Sequence, residues 1–216
     1  MTTSLADQPS GSEVSTLAIA LGANLPSHCG GPIATLIAVR PLLEACLRKW
    51  GQGLSSGPTG FRWSPLFETE PVGGPPGQPP FINAVLVVDG LVPGLGADGA
   101  RAAAGEALLK QLQALEHDFG RQRQARWAPR SLDLDLLWWG DLSCHTPRLQ
   151  LPHPLWRQRD FVLAPLAALA GLAPEPGCAV IALAGRPGWP EQLGYPCAML
   201  GPPTRDKPSH GAPPRS

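Results

Sequence analysis

Residues 101–138 read RAAAGEALLKQLQALEHDFGRQRQARWAPRSLDLDLLW, and three unlike segments meet there. The first, 101–119, is the clearest helix in the chain. Leu108, Leu112, Leu115 and Phe119 fall on one stripe, and Gly120 stands where the residue after a helix C-terminus belongs. The last, Leu132–Trp138, alternates Leu with Asp and then turns continuously apolar, the pattern of a strand partly sunk in a core. Between them runs a loop with four arginines (Arg121, Arg123, Arg126 and Arg130), in a chain that has only three lysines.

Working outward toward the N-terminus, Thr16–Leu21 is a short apolar run bounded by Gly22, a buried strand. Residues 32–50 place Ile33, Leu36, Ile37, Leu43, Leu47 and Trp50 at helical spacing. Pro41 lies inside that helix, where proline costs roughly 3 kcal/mol, so the spacing predicts a kink or break. Phe61–Phe67 and Phe81–Val88 read as two strands joined by the long loop Glu68–Pro80. The order β-α-β-β-α-β predicts an α+β fold, a ferredoxin-like sandwich, with an extra C-terminal helix at about 161–170 packed outside it.

One domain, 16–184, accounts for this pattern. Residues 1–15 read as a flexible polar tail, and residues 185–216, with eight prolines, as a mostly disordered one. The Gly-rich stretches 51–60 and 93–99 read as loops. Gly94–Gly99 matches a dinucleotide-binding glycine pattern, but the acid that pattern needs at the end of the next strand is missing.

Seventeen basic and seventeen acidic residues cancel, which argues against a general polyanion binder and hence against nucleic acid as the partner. The five cysteines are odd in number and widely spaced, so neither a disulfide framework nor cysteine-bound zinc is expected. No basic residue precedes Arg40, and the longest apolar run, 161–174, is short and proline-broken. The expectation is a cytoplasmic protein with no membrane contact, working as a monomer.

The chemistry concentrates in residues 120–139. Arginine grips phosphate oxygens with a planar fork of donors that lysine lacks. Asp133 and Asp135 follow at strand spacing and share a face, about 6.6 Å apart. Such a pair repels unless a cation lies between, and an oxygen-only pair beside phosphate-binding arginines suits Mg²⁺. Taken alone, the Leu-Asp alternation also fits a half-exposed strand with solvated carboxylates. The neighbouring arginines and Trp127 turn the reading toward a phosphate-and-metal site.

Two further clusters carry weaker signals. In Glu68–Asn83 (ETEPVGGPPGQPPFIN), a Pro/Gly loop enters a strand that puts Phe81 and Asn83 on one face, a stacking platform beside an amide. Such a pair can hold a flat heterocycle, or simply fill a hairpin. In Leu151–Phe161 (LPHPLWRQRDF), His153 lies between prolines and Arg157 and Arg159 add charge. That histidine matters only if its loop reaches the arginine cluster.

Four segments in order, IALGANL, FETEPVGGP with FINAV, ARWAPRSLDLDLL, and LPHPLWRQRDFVLAPL, make the chain resemble the 6-hydroxymethyl-7,8-dihydropterin pyrophosphokinases of folate biosynthesis over about residues 16–183. The resemblance implies a ferredoxin-like fold, ATP as co-substrate, two Mg²⁺ ions, and transfer of the diphosphoryl group of ATP to the pterin hydroxymethyl group, releasing AMP. By motif it gives Asp133 and Asp135 the metal ions. Arg123, Arg126, Arg130, His153 and Arg159 would contact the triphosphate, with Glu116 near the nucleotide and Arg121 and Arg130 assisting transfer. Thr69, Val72, Phe81, Asn83, Trp127 and Phe161 would enclose the pterin, its ring stacked between Phe81 and Phe161. Ala23 stands where the family often has Ser, and Phe81 where it often has Tyr. An arginine-rich RNA-binding module and a Mg²⁺-dependent nucleotidyltransferase are the rival readings. Neither explains both the aspartate pair and the Phe81/Asn83 pocket.

Overall fold

A computed structural model describes residues 15–54, 57–91, 98–122, 127–172, 180–183 and 186–190. Its elements in chain order are β1 (Leu17–Ala23), α1 (Pro32–Gly51), β2 (Gly60–Trp63), β3 (Phe67–Thr69), β4 (Phe81–Asp89), α2 (Asp98–Asp118), β5 (Asp133–Trp139), β6 (Cys144–His145), β7 (Gln150–Leu151), α3 (Asp160–Leu169) and β8 (Val180–Ala182). The main sheet has six strands in the order β5-β1-β4-β3-β8, with β2 also paired to β4, and its pairings are antiparallel. The short hairpin β6–β7 stands apart.

Alternation along β1 sends side chains to two different cores. Leu17, Ile19, Leu21 and Ala23 join Leu36, Val39, Leu43 and Leu47 of α1 and Leu108 and Leu112 of α2. Ala18 and Ala20 face the other way, with Val85, Val87 and Trp138, against Val162, Leu166 and Leu169 of α3. Two helices of 20 and 21 residues therefore lie on the first face, and a helix of only ten residues packs on the second. Each fully buried leucine contributes about 1.5–3 kcal/mol, so the first face carries most of the hydrophobic stabilisation.

Several expectations need correction. α1 runs through Pro41 without interruption. The proline is exposed while Leu36, Val39, Leu43 and Leu47 stay buried on either side, so the packed stripe outweighs the lost backbone bond. The segment 61–67 is two strands, because Pro65 has no N–H to continue the ladder and Ser64 Oγ takes the Val85 N–H at 2.9 Å instead. α2 begins at Asp98, inside the stretch read as a loop. Its end is as expected: Gly120 has φ +82° and its N–H bonds to the His117 carbonyl.

Beyond 184, Trp189 is buried. Within the domain, β8 pairs with β3, a strand that periodicity did not reveal. Residues 1–14 and 191–216 lie outside the described residues. Among the described residues, no helix is long and apolar enough to cross a membrane.

Candidate active site

The register of the central strand builds the site. Ala20 pairs with Asp135, and Gly22 pairs with Asp133 on one side and Asn83 on the other. Residues directly opposite in an antiparallel ladder share a face, so Asn83, Asp133 and Asp135 lie on the α3 side of the sheet. There they open into one cleft with Thr69, Val72, Phe81, Arg121, Trp127, Arg130, His153, Arg159 and Phe161. Every proposed site residue that is described reaches this cleft except Glu116. Arg123 and Arg126 lie outside the described residues.

Charge is concentrated at one end. Arg121 Nη1 lies 2.5 Å from Asp133 Oδ1, and Arg130 Nη1 lies 2.6 Å from Asp133 Oδ2. Arg159 Nη1 contacts Asp135 Oδ2 at 3.2 Å. The two carboxylates are thus compensated by guanidinium groups, which offset the repulsion between them without a cation. Burial still pushes the Asp133 carboxyl above its ordinary range, and the like charge of Asp135 adds to this, while Arg121 and Arg130 pull it back. Among the described residues no group of three or more His, Cys, Asp and Glu converges. A cation held here would rest on Asp133 and Asp135 as its carboxylate ligands.

Glu116 stands behind the cleft wall. It is 4% exposed, accepts the Leu134 N–H at 2.8 Å, and holds Arg121 from beneath. Burial lifts its pKa to about 7, against the opposing pull of Arg121 and the Leu134 bond. Its influence on the cleft passes through Arg121.

The loop 151–161 does reach the arginines. The His153 N–H bonds to the Leu137 carbonyl at 2.7 Å, which ties the loop to β5. His153 Nδ1 accepts the Leu155 N–H at 3.2 Å, so the neutral ring carries its proton on Nε2. Burial, helped by Arg159, lowers the His153 pKa to about 4, which keeps the ring neutral near pH 7. The Arg159 guanidinium also lies 5.4 Å from the Phe161 ring centroid, linking the charged end to the aromatic end. Arg157 instead stacks on Trp156 at 4.2 Å.

At the aromatic end, Asn83 Nδ2 donates to Thr69 Oγ1 at 2.8 Å, and both residues are buried. Trp127, 45% exposed, adopts a left-handed φ of 61°. A Cβ on Gly74 would come within 2.3 Å of the Trp127 carbonyl oxygen, so only glycine admits this approach.

Two residues missed in the sequence join the loops. Gln78 Nε2 lies 3.2 Å from each of the carbonyls of Gly73, Pro75 and Trp127. Asn24 Oδ1 accepts the Arg130 N–H at 2.8 Å, and its Nδ2 donates to the Pro79 carbonyl at 3.1 Å. The Pro/Gly loop, the end of the arginine loop and the turn after β1 therefore share one network. The available signal was an amide enclosed by prolines and glycines, at Gln78, and another directly after a strand, at Asn24.

Comparison with known proteins gives the same direction. The sequence profile of the 7,8-dihydro-6-hydroxymethylpterin-pyrophosphokinase family matches residues 18–171. A 2-amino-4-hydroxy-6-hydroxymethyldihydropteridine pyrophosphokinase of Pseudomonas aeruginosa is 43% identical over 107 residues, covering 50% of this chain and 59% of that protein. One of the same name from Haemophilus influenzae is 32% identical over 155 residues, 72% of this chain and 81% of its own length. The mitochondrial folate synthesis bifunctional protein of Arabidopsis thaliana is 38% identical over 112 residues, 52% of this chain but 18% of that protein. The chain thus spans less than two thirds of the length of the first and last of these relatives.

Proposed function

The chain belongs to the 7,8-dihydro-6-hydroxymethylpterin-pyrophosphokinase family, and on that premise we propose that it transfers the diphosphoryl group of ATP to 6-hydroxymethyl-7,8-dihydropterin, giving the pterin diphosphate and AMP. The strand order, with β5 and β4 flanking β1 and β3 beyond β4, supports the ferredoxin-like arrangement as the scaffold. One observation carries the reading. A single sheet face brings the acidic pair Asp133/Asp135, the arginines and the Phe81/Asn83 pocket into one cleft.

In this reading Phe81 and Phe161 hold the pterin ring between them, and the Asn83 amide reads its edge. Asp133 and Asp135 fit Mg²⁺ by donor type, two ions being our proposal. The metal would supply charge neutralisation on the ATP phosphates. Asp133 and Asp135 would hold the cation, and Arg121, seated on Glu116, and Arg130 would offer their remaining N–H donors to the phosphates. His153 offers Nε2–H to a phosphate oxygen without adding charge. The pterin hydroxyl oxygen bonds to the β-phosphorus and gives up its proton to solvent, as the bond between that phosphorus and the AMP oxygen breaks and AMP leaves.

Mixing ATP, Mg²⁺ and the pterin and separating the nucleotides by ion exchange tests the reaction. AMP and pterin diphosphate should form in equal amounts. Arg130→Ala should slow the reaction by roughly 10²–10³, the usual loss of one charge-stabilising donor. ADP as the main pterin-dependent product would overturn the assignment.

A further inference from the structure

Gly22 occupies the middle of the sheet, where a glycine weakens a strand and needs a reason. Its backbone is ordinary strand, so torsion does not demand glycine. Space does. A Cβ built at Gly22 would lie 2.8 Å from Asn83 Oδ1, closer than such atoms approach, and 3.8 Å from Phe81 Cδ1.

The Asn83 amide cannot readily retreat. It is 5% exposed, its Nδ2 is committed to Thr69 Oγ1 at 2.8 Å, and Thr69 is itself buried and held between Phe81 of β4 and Val180 of β8 by strand pairing. One Nδ2 N–H is held by Thr69 Oγ1, which pins the amide at that end, and Oδ1 rests over the space left by the missing side chain in a residue that lines the cleft. Gly22 also pairs with Asp133, about 10 Å from Asn83 across two strand spacings. No Asp133 atom is among the three that a Cβ at Gly22 would meet first, so the consequence falls on the Asn83 side alone.

We propose that Gly22 is a positioning residue: its bare backbone fixes the Asn83 acceptor in the plane where a flat heterocycle presents N–H donors, and so sets recognition of the ring edge. The proposal deepens the pterin reading above and rests on it for the identity of the ring.

The test uses the full chain as wild type, Gly22→Ala, Asn83→Ala and the double variant. The side-chain amide signals of Asn83 are followed by ¹⁵N NMR without ligand, and binding of the pterin and of a non-hydrolysable ATP analogue is followed by calorimetry. Gly22→Ala should move the Asn83 amide signals and weaken pterin binding about tenfold. ATP-analogue affinity should stay within about twofold, and in the Asn83→Ala background the same change should cost no more than about twofold. Unmoved amide signals, or losses that multiply in the double variant, would overturn the proposal. A wild-type protein that ignores the pterin would sink the functional reading alone, and the ligand-free amide signals would still uphold or overturn the positioning role. Should Gly22→Ala unfold, removal of the struck oxygen in Gly22→Ala/Asn83→Ala must restore the fold; a double variant just as unfolded refutes the proposal.

Discussion

Trp189 Nε1 donates to the carbonyl oxygen of Ser64 at 2.7 Å, across 125 positions of the chain. The Trp189 ring meets Trp63 edge-on at 5.1 Å between centroids. Ser64 is where the edge of the sheet is interrupted before Pro65, and the buried indole bonds the carbonyl at that interruption. The Leu183 N–H does the same for the Leu66 carbonyl, at 2.7 Å. Leu183, near the end of the domain, and Trp189, beyond it, thus bond carbonyls along the sheet edge that carries Thr69.

Trp189→Ala should therefore destabilise the protein by about 3–5 kcal/mol, the range for a buried tryptophan truncated to alanine. Urea unfolding followed by circular dichroism measures this. A midpoint shared with the wild type would mean that the packing against Trp63 contributes nothing.

Asp133 and Asp135 should separate in metal-free buffer. Asn at 133 leaves Arg121 and Arg130 without the carboxylate that both contact, at a cost of about 1–3 kcal/mol. Asn at 135 loses one 3.2 Å contact on a more exposed side chain, worth under about 1 kcal/mol. Each variant should lose turnover by orders of magnitude at millimolar Mg²⁺. Equal thermal shifts for the two would contradict the unequal pairing, and preserved turnover would remove the carboxylates from the site.

Gln78→Ala takes away the amide whose two N–H groups serve three carbonyls on two loops. The loop is largely exposed, so the unfolding midpoint should move by less than about 0.5 kcal/mol. Steady-state kinetics should instead show kcat/KM lowered by roughly 10–100-fold, as expected when positioning of distant groups is lost. Unchanged kinetics would make the network decorative.

Stability should depend on pH through two buried groups with opposite signs. Glu116 has its folded pKa raised to about 7, so its contribution is complete below the ordinary carboxylate value and is lost as pH rises through about 7. His153 is lowered to about 4, so its contribution is complete above the ordinary imidazole value and is lost as pH falls through about 4. The two windows overlap and oppose each other, so Glu116→Gln should leave a stability that rises with pH between them and His153→Gln one that falls, in chemical denaturation series from pH 4 to 8 without metal. Identical profiles for the two variants would show that neither group titrates as its burial requires.

The arginine-loop-strand segment was legible because its signal is local. Leu-Asp-Leu-Asp puts two carboxylates on one face wherever the strand lies, and Leu108, Leu112 and Leu115 mark a helix face by spacing alone. Pro41 and the 61–67 segment misled for a related reason. Local rules weigh a proline by the backbone bond it removes, whereas the outcome turned on the buried leucines around Pro41 and on Ser64 Oγ replacing a ladder bond.

By itself, then, the sequence settled the two long helices and the strands beside them, the charged face of β5 and the motifs that carry the resemblance, since each depends on neighbours a few residues apart. Tertiary structure alone decided that Arg121 and Arg130 rest on Asp133, that Gln78 and Asn24 join three loops, that Gly22 lies under Asn83, and that Trp189 closes the edge at Ser64. Those contacts join residues up to 125 positions apart. Their partners are chosen by strand register and by the need to satisfy buried polar groups, and no spacing rule along the chain encodes either.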